Sequence, residues 1–332
     1  MLGNVKRNME ERNMNTRKLS IVVAAALMAL LVFAGCTPAA QQPAATQAPA
    51  ATEAPAATDA PAAPEAPASS FDTTQDIVVI SREEGSGTRG AFIELVGIET
   101  KQDDGTKVDN TTEEAMITND TAVMITTVAG NPYGIGYISL GSLNDTVKAL
   151  QVDGADATVD NIKSGAYKVA RPFNIATKGT PSDVAQDFIK YIMSAEGQAV
   201  IEGNKYIKID DNAAAYTAAN LSGKIVVAGS SSVTPVMEKL AEEYMKLNSG
   251  VTIEIQQSDS STGMKSAMDG TCDIGMASRE LKESELAELT PTVIAMDGIA
   301  VVVNPENTMT GLTTDQVRGI FTGEIINWSE VA

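Results

Sequence analysis

Ile77-Val78-Val79-Ile80-Ser81-Arg82-Glu83-Glu84-Gly85-Ser86-Gly87-Thr88-Arg89-Gly90 is the stretch from which the fold of this 332-residue chain is read. Four β-branched residues in a row read as a buried strand. A glycine-broken turn follows, and Ala91-Phe92-Ile93-Glu94-Leu95-Val96 reads as the first turns of a helix. A strand, such a turn and a helix start aim backbone N–H groups and the positive end of a helix at an anion. Ser86 and Thr88 add hydroxyls to the turn, and Arg82 and Arg89 flank it. A nucleotide-type phosphate loop would carry Lys followed by Ser or Thr after its last glycine, and this one does not. The loop therefore suits a free anion better than a nucleotide. Ser/Gly stretches also serve as plain turns, so one loop does not make a site.

Two further loops repeat the design. A strand at 224–228 runs into Gly229-Ser230-Ser231-Ser232-Val233-Thr234-Pro235 and then a helix at 236–247, with Met237, Leu240, Ala241 and Tyr244 on one face. A strand at 252–256 runs into Ser258-Asp259-Ser260-Ser261-Thr262-Gly263 and a helix at 264–268. Serine and threonine are ordinary helix N-caps, which accounts for any one of these loops by itself. If 85–88, 230–234 and 258–263 converge, they form a pocket of neutral donors with one or two arginines, suited to a small tetrahedral oxyanion. Each hydrogen bond to a charged group contributes roughly 1.5–3 kcal/mol. A handful reaches the roughly 8 kcal/mol of micromolar binding.

Elsewhere 113–130 mixes helical and strand-like signals, and 133–139 is a glycine-interrupted strand whose missing side chains imply close backbone approach. A short helix is predicted at 159–165 and a strand at 172–177. An amphipathic helix is predicted at 181–193, with Val184, Phe188, Ile189 and Ile192 at helical spacing and Ser182 as N-cap. A helix at 195–202, a polar connector at 208–223 and buried strands at 273–279 and 292–303 complete the pattern. Strands alternating with helices mean α/β layers with a largely parallel sheet, in which ligands sit beyond the carboxyl ends of strands.

Twenty-four basic against 43 acidic residues give a formal net charge of −19, which argues against a nucleic-acid partner. The chain has no histidine, which removes Ser-His-Asp and Cys-His catalysis and histidine metal sites. Lys6, Arg7, Arg12, Arg17 and Lys18 precede an apolar run at 21–33 that stops at Ala34-Gly35-Cys36. That is the make-up of an export signal, too short for a comfortable membrane span; Met14 is an alternative start. Leu31-Val32-Phe33-Ala34-Gly35-Cys36 resembles the lipobox of bacterial lipoproteins, with Phe33 where an aliphatic residue is usual. Cys36 would be the lipidated residue; ordinary signal cleavage beside an incidental cysteine is the other reading. The Ala/Pro/Thr-rich tract at 37–70 reads as a disordered tether. Cys272, left without a partner, reads as a small buried apolar residue.

The three loops, together with Asp-Ile-Gly-Met-Ala-Ser-Arg-Glu-Leu at 273–281, Gly-Ile-Gly-Tyr-Ile-Ser-Leu at 134–140 and Phe-Thr-Gly-Glu-Ile-Ile-Asn-Trp at 321–328, resemble the phosphate-binding proteins of ABC phosphate importers. The resemblance runs from Asp76 to Val331. In most of that family the Gly-Ser-Ser-Ser half comes first, so the chain reads as a circular permutation, complete at Ala332, with 208–223 joining the family's usual ends.

The resemblance implies a two-lobed periplasmic-binding-protein-like (type II) α/β fold, with mixed sheets flanked by helices and a ligand cleft between the lobes. One lobe would comprise 71–173 and 303–332, the other 174–302, with hinge crossovers near 171–177 and 300–304. Carried over by motif, the phosphate-binding residues are Arg82, Ser86, Gly87, Thr88, Ser231, Ser232, Val233 and Ser260. Better-known members have an aspartate where Arg279 stands, and its carboxylate accepts the phosphate proton. Arg279 would then bind phosphate directly or pair with Glu280 or Glu283. Asp297 is the candidate replacement acceptor, or caps a turn. The implied function is capture of inorganic phosphate by a monomer, lipid-anchored on the extracellular face, and delivery to the transmembrane subunits of an ABC phosphate permease, without catalysis, cofactor or metal. A receptor for sulfate, molybdate or tungstate, and a surface phosphate-ester hydrolase, are the alternatives.

Overall fold

The structure, a computed structural model, describes residues 71–332. The export signal at 1–36, Cys36 and the tether at 37–70 lie outside the described residues.

The chain enters through β1 (Val78–Arg82) and α1 (Gly87–Leu95), then an antiparallel hairpin of β2 (Glu99–Lys101) and β3 (Lys107–Asp109). β4 (Met116–Thr118) leads into α2 (Thr121–Ala129). β5 (Gly134–Ser139) leads through β6 (Lys148–Ala149) and β7 (Gln151–Val152) to α3 (Val159–Lys163). β8 (Ala170–Lys178) is followed by α4 (Asp183–Ile192) and α5 (Ala195–Gly203). After a largely irregular passage come β9 (Ser222–Ser230), α6 (Thr234–Leu247), β10 (Gly250–Ser258), α7 (Ser260–Asp269) and β11 (Ile274–Ala277). The short α8 (Glu283–Leu286), the long β12 (Leu289–Val303), β13 (Gly311–Leu312) and α9 (Thr314–Thr322) complete the order. Among these, no helix is long and apolar enough to cross a membrane.

The helix signals hold where apolar spacing and a cap coincide. Ser182 caps α4 by accepting the Ala185 N–H at 3.3 Å, and Val184, Phe188 and Ile192 are buried along one face. Full burial of each such side chain stabilises by roughly 1.5–3 kcal/mol. The hydroxyl-rich loops differ from expectation in one respect. α1, α6 and α7 begin at Gly87, Thr234 and Ser260, two to four residues earlier than the apolar patterns indicate. Their Ser/Thr residues are thus part of, or adjacent to, the first helical turn. The connector also ends sooner than expected: Ser222 and Gly223 pair with Gly250 and Val251, extending β9 beyond its apolar run.

The strands run in the order β10-β9-β11-β8-β12-β5-β1-β4, with β6 also on β12. The outer groups are parallel, β9 with β10 and β11, and β1 with β4 and β5. β8 and β12 run antiparallel between them, so the sheet is mixed rather than largely parallel. β12 is long enough to serve both groups: it pairs with β8 up to Gly298 and with β5 from Ile299 to Val303.

The core divides along with the pairing. Ile80, Phe92, Tyr137, Val301, Phe321 and Trp328 belong to one apolar cluster, and Phe173, Phe188, Val227, Leu240, Tyr244 and Ala295 to another. A third, smaller cluster under α7 contains Met264, Ala277 and Cys272, whose thiol burial pushes up to about 11. Along β12 the change of cluster falls between Ala295 and Ile299, and along the β8 segment between Val169 and Phe173.

Gly136 explains the fit of α2 on β5, because a Cβ there would lie 2.6 Å from the Met124 sulfur. The two ends of the described chain meet: Asp76 bridges Asn327, and the Ile77 N–H donates to the Ile326 carbonyl at 2.8 Å. Trp328 is buried beside them and donates its indole N–H to the Tyr133 carbonyl.

Candidate functional site

Four strand-to-helix corners build the site, each at the carboxyl end of a parallel strand, where α/β sheets place ligands. After β1, Ser86 caps α1 by accepting the Arg89 N–H at 3.3 Å. The two preceding helical N–H groups, of Gly87 and Thr88, have no intrahelical partner. After β4, Asp120 caps α2 by accepting the Val123 N–H at 2.8 Å, which makes Thr121 the first helical residue. After β10, Asp259 caps α7 in the same way and Ser260 leads that helix. After β9, the turn 230–233 enters α6 with no side-chain cap, and Pro235 stands in its first turn.

Hydroxyls from these corners meet. Thr88 Oγ1 and Ser232 Oγ are 2.8 Å apart, and Thr121 Oγ1 lies 3.3 Å from both Ser231 Oγ and Ser232 Oγ. Arg82 Nη2 donates to Ser231 Oγ at 3.1 Å and Nη1 to Thr121 Oγ1 at 3.4 Å. On the far side, Ser230 Oγ donates to Ser278 Oγ at 3.0 Å, and the Ser278 N–H donates to Ser260 Oγ at 3.1 Å. Gly87 closes the gap between corners: a Cβ on it would fall 2.4 Å from Ser260 Oγ and 2.8 Å from Ser278 Oγ. All of these polar residues are buried, Arg82 to 2 % exposure. Four helix N-termini and one guanidinium thus concentrate positive potential on hydroxyls that rotate to donate or accept.

Arg82 is held along one edge of its guanidinium. Its Nε and Nη2 each donate to a carboxylate oxygen of Glu83 at 2.8 Å. Its own N–H donates to the Tyr137 hydroxyl, which also bonds Ser81 Oγ. Burial pushes the Tyr137 hydroxyl above the ordinary tyrosine range. Arg89, by contrast, turns away to the Asp109 carboxylate and the Arg82 carbonyl.

Of the residues expected from sequence, Arg82, Gly87, Thr88, Ser231, Ser232 and Ser260 therefore lie together. Ser86 is adjacent, its hydroxyl engaged as a cap. Val233 is buried next to them, but its N–H donates to the Ser230 carbonyl within the turn. Arg279 pairs with neither Glu280 nor Glu283 through their carboxylates. Its Nη1 and Nη2 hold the two oxygens of Glu285 at 2.8 Å, and it also donates to the Glu280 carbonyl and Ser261 Oγ. Burial opposes ionisation of Glu285, yet Arg279 and the Lys282 N–H hold its carboxyl below the ordinary range.

Asp297 pairs with an arginine. It sits on β12 opposite Arg171 of β8 and accepts from Arg171 Nη2 at 3.1 Å, with no hydrogen bond to the hydroxyl cluster. Burial pushes its carboxyl up to about 6, against the pull of Arg171. Two participants were missed by sequence reading. Ser278 lies inside the quoted 273–281 stretch, and Thr121 follows Met116-Ile117-Thr118-Asn119-Asp120, a fourth strand-turn-helix corner with a shorter strand. Among the described residues, no group of three acidic or cysteine side chains is placed to hold a metal ion.

A family model described as a PBP superfamily domain matches residues 69–196 and 214–332. A phosphate-binding protein PstS 2 of Streptococcus agalactiae serotype V is 59% identical over 266 residues, covering 80% of this chain and 90% of that protein. The chain belongs to the PstS phosphate-binding proteins of the PBP superfamily. Another member, phosphate-binding protein PstS 2 of Streptococcus pneumoniae serotype 4, is 47% identical over 77% of this chain and 87% of its own length. The crystal structure of a phosphate-binding protein of a phosphate ABC transporter from Streptococcus pneumoniae TIGR4 superposes with a TM-score of 0.63. It covers 77% of this chain and 100% of that one, at 47% identity. The residues matched by the family model take in every corner of the site.

Proposed function

We propose that this protein captures inorganic phosphate at the Arg82–Thr88–Thr121–Ser231–Ser232–Ser260 cluster and delivers it to the transmembrane subunits of an ABC phosphate permease. The observation that carries the reading is the meeting of three helix N-termini and a buried guanidinium on one set of hydroxyls, with a fourth helix start, at Ser260, set against Gly87. Such a set is costly to bring together without an anion to answer it. Kinship with PstS proteins supports phosphate as that anion.

The moving bodies in this reading are two lobes, 71–173 with 303–332 and 174–302, with the second boundary shifted to 296–298 by the change of core in β12. Each lobe supplies donors, so the closed state is favoured with ligand present. Chain order is read as a circular permutation, supported by the adjacency of 76–77 and 326–327. Cys36 serves as lipid anchor and 37–70 as the tether that holds a monomer on the extracellular face. No covalent step is assigned.

Titration of the processed protein with phosphate, arsenate, sulfate, molybdate and tungstate tests the ligand. The expected result is roughly micromolar or tighter phosphate binding, matched by arsenate. No heat and no thermal shift at millimolar phosphate would contradict it. Turnover of a chromogenic phosphate ester with divalent metals would favour the hydrolase alternative instead.

A further inference from the structure

We propose that Gly85 and the Asp259–Ser261 segment form a direct latch between the two lobes, made on closure, which sets how long phosphate stays bound. The inference deepens the phosphate reading above and rests on it. The α1 and α7 corners stand on different apolar clusters, Phe92 in one and Met264 in another. A contact between these corners is therefore a contact between two bodies, not part of a single core.

Two observations place the latch. The Ser261 N–H donates to the Gly85 carbonyl at 3.2 Å, backbone to backbone. Ser261 is the second residue of α7, so its N–H has no partner inside the helix and can reach across. Its hydroxyl is held on its own side by Arg279 Nη2 at 3.2 Å. The other observation is fit. A Cβ on Gly85 would lie 2.3 Å from Asp259 Oδ1 and 2.6 Å from its Cγ, so only glycine allows the approach. Asp259 is not free to turn aside, because its carboxylate caps α7 at the Thr262 N–H and accepts from the Thr262 hydroxyl. Gly85, Asp259 and Ser261 are each half-buried, beside the buried Thr88, Ser232 and Ser260. The latch thus lies at the rim of the hydroxyl cluster, and none of its three residues is among the proposed phosphate donors. An ion bridging both lobes favours closure through its own bonds. The latch adds a contact that exists only in the closed state, which slows opening and hence release.

The test compares wild type, Gly85→Ala, Asp259→Gly and the double variant. Calorimetry gives phosphate affinity, a chase of radiolabelled phosphate gives the dissociation rate, and thermal melts without phosphate report folding. Glycine is an acceptable N-cap, so Asp259→Gly removes the obstructing atoms while α7 keeps its start. Gly85→Ala should weaken phosphate binding by roughly ten- to a hundredfold, the scale of overpacking by one methyl group. The loss should appear as faster dissociation, and the phosphate-free melt should match wild type. Adding Asp259→Gly should restore most of the affinity, a coupling expected of residues in direct contact. Wild-type dissociation from Gly85→Ala overturns the latch, and so does a loss that Asp259→Gly leaves in place. A Gly85→Ala protein that does not fold, or melts well below wild type, overturns it as well, because the contact would then belong to the ligand-free state. Each of these results leaves the functional reading standing as long as wild type binds phosphate. No binding by wild type overturns both.

Discussion

Arg82 ends β1 and Arg279 follows β11, so two arginines stand at the carboxyl ends of strands. Both are buried, and both grip a glutamate through two 2.8 Å bonds. What separates them is where their other N–H groups end. Arg279 gives the rest to the Glu280 carbonyl and Ser261, and its Glu285 is itself buried. Arg82 aims the rest at Thr121 and Ser231, hydroxyls that re-orient at little cost, and its Glu83 stays partly exposed. An arginine's role in a site thus follows from the destination of its remaining donors, not from having an acidic partner.

The contrast can be broken by mutation. Arg82→Ala should cost the most in binding, on the order of 3–6 kcal/mol for two charge-assisted bonds, with little change in melting temperature because Glu83 reaches water. Equal losses in the two would erase the distinction. Arg279→Met should show the reverse: a loss of about 3–5 kcal/mol in denaturant stability, since Glu285 is left buried and unpaired, and a much smaller change in phosphate affinity.

A third buried arginine, Arg171, sharpens the comparison through pH. Burial pushes the carboxyl of its partner Asp297 up to about 6, above the ordinary aspartate range. The stability this shift supplies is full only well below the unfolded aspartate pKa of about 3.9 and is lost as pH rises through about 6. Wild type should therefore gain on Asp297→Asn by about 2 kcal/mol as pH falls from 7 to 4, read from denaturant melts; a flat difference would contradict the buried pair. The smallest effect is expected at Thr121→Val. It should lose one hydroxyl bond, about 1 kcal/mol of phosphate affinity, and unchanged affinity would remove Thr121 from the site.

Much of this was legible beforehand for identifiable reasons. α4 announces itself by Val184, Phe188 and Ile192 at helical spacing behind Ser182, and the serine loops by following β-branched runs. Thr121 escaped because β4 is three residues long and exposes Met116 and Ile117, so no apolar run flags it. The partner of Arg279 escaped because Glu280 and Glu283 are nearer in sequence, while the turn of α8 presents Glu285. Asp297 looked available as an acceptor because its partner lies 126 residues away on a neighbouring strand. Periodicity reports which face is buried; it does not report which strands become neighbours.

The central claim is that donors from distant corners surround one tetrahedral ion, and a crystal structure of the phosphate-saturated protein tests it most directly. The account expects phosphate within hydrogen-bond distance of Arg82 Nη1 or Nη2 and of the Thr88, Ser231, Ser232 and Ser260 hydroxyls. Phosphate bound elsewhere, or these side chains left bonded only to one another at saturating phosphate, would contradict it.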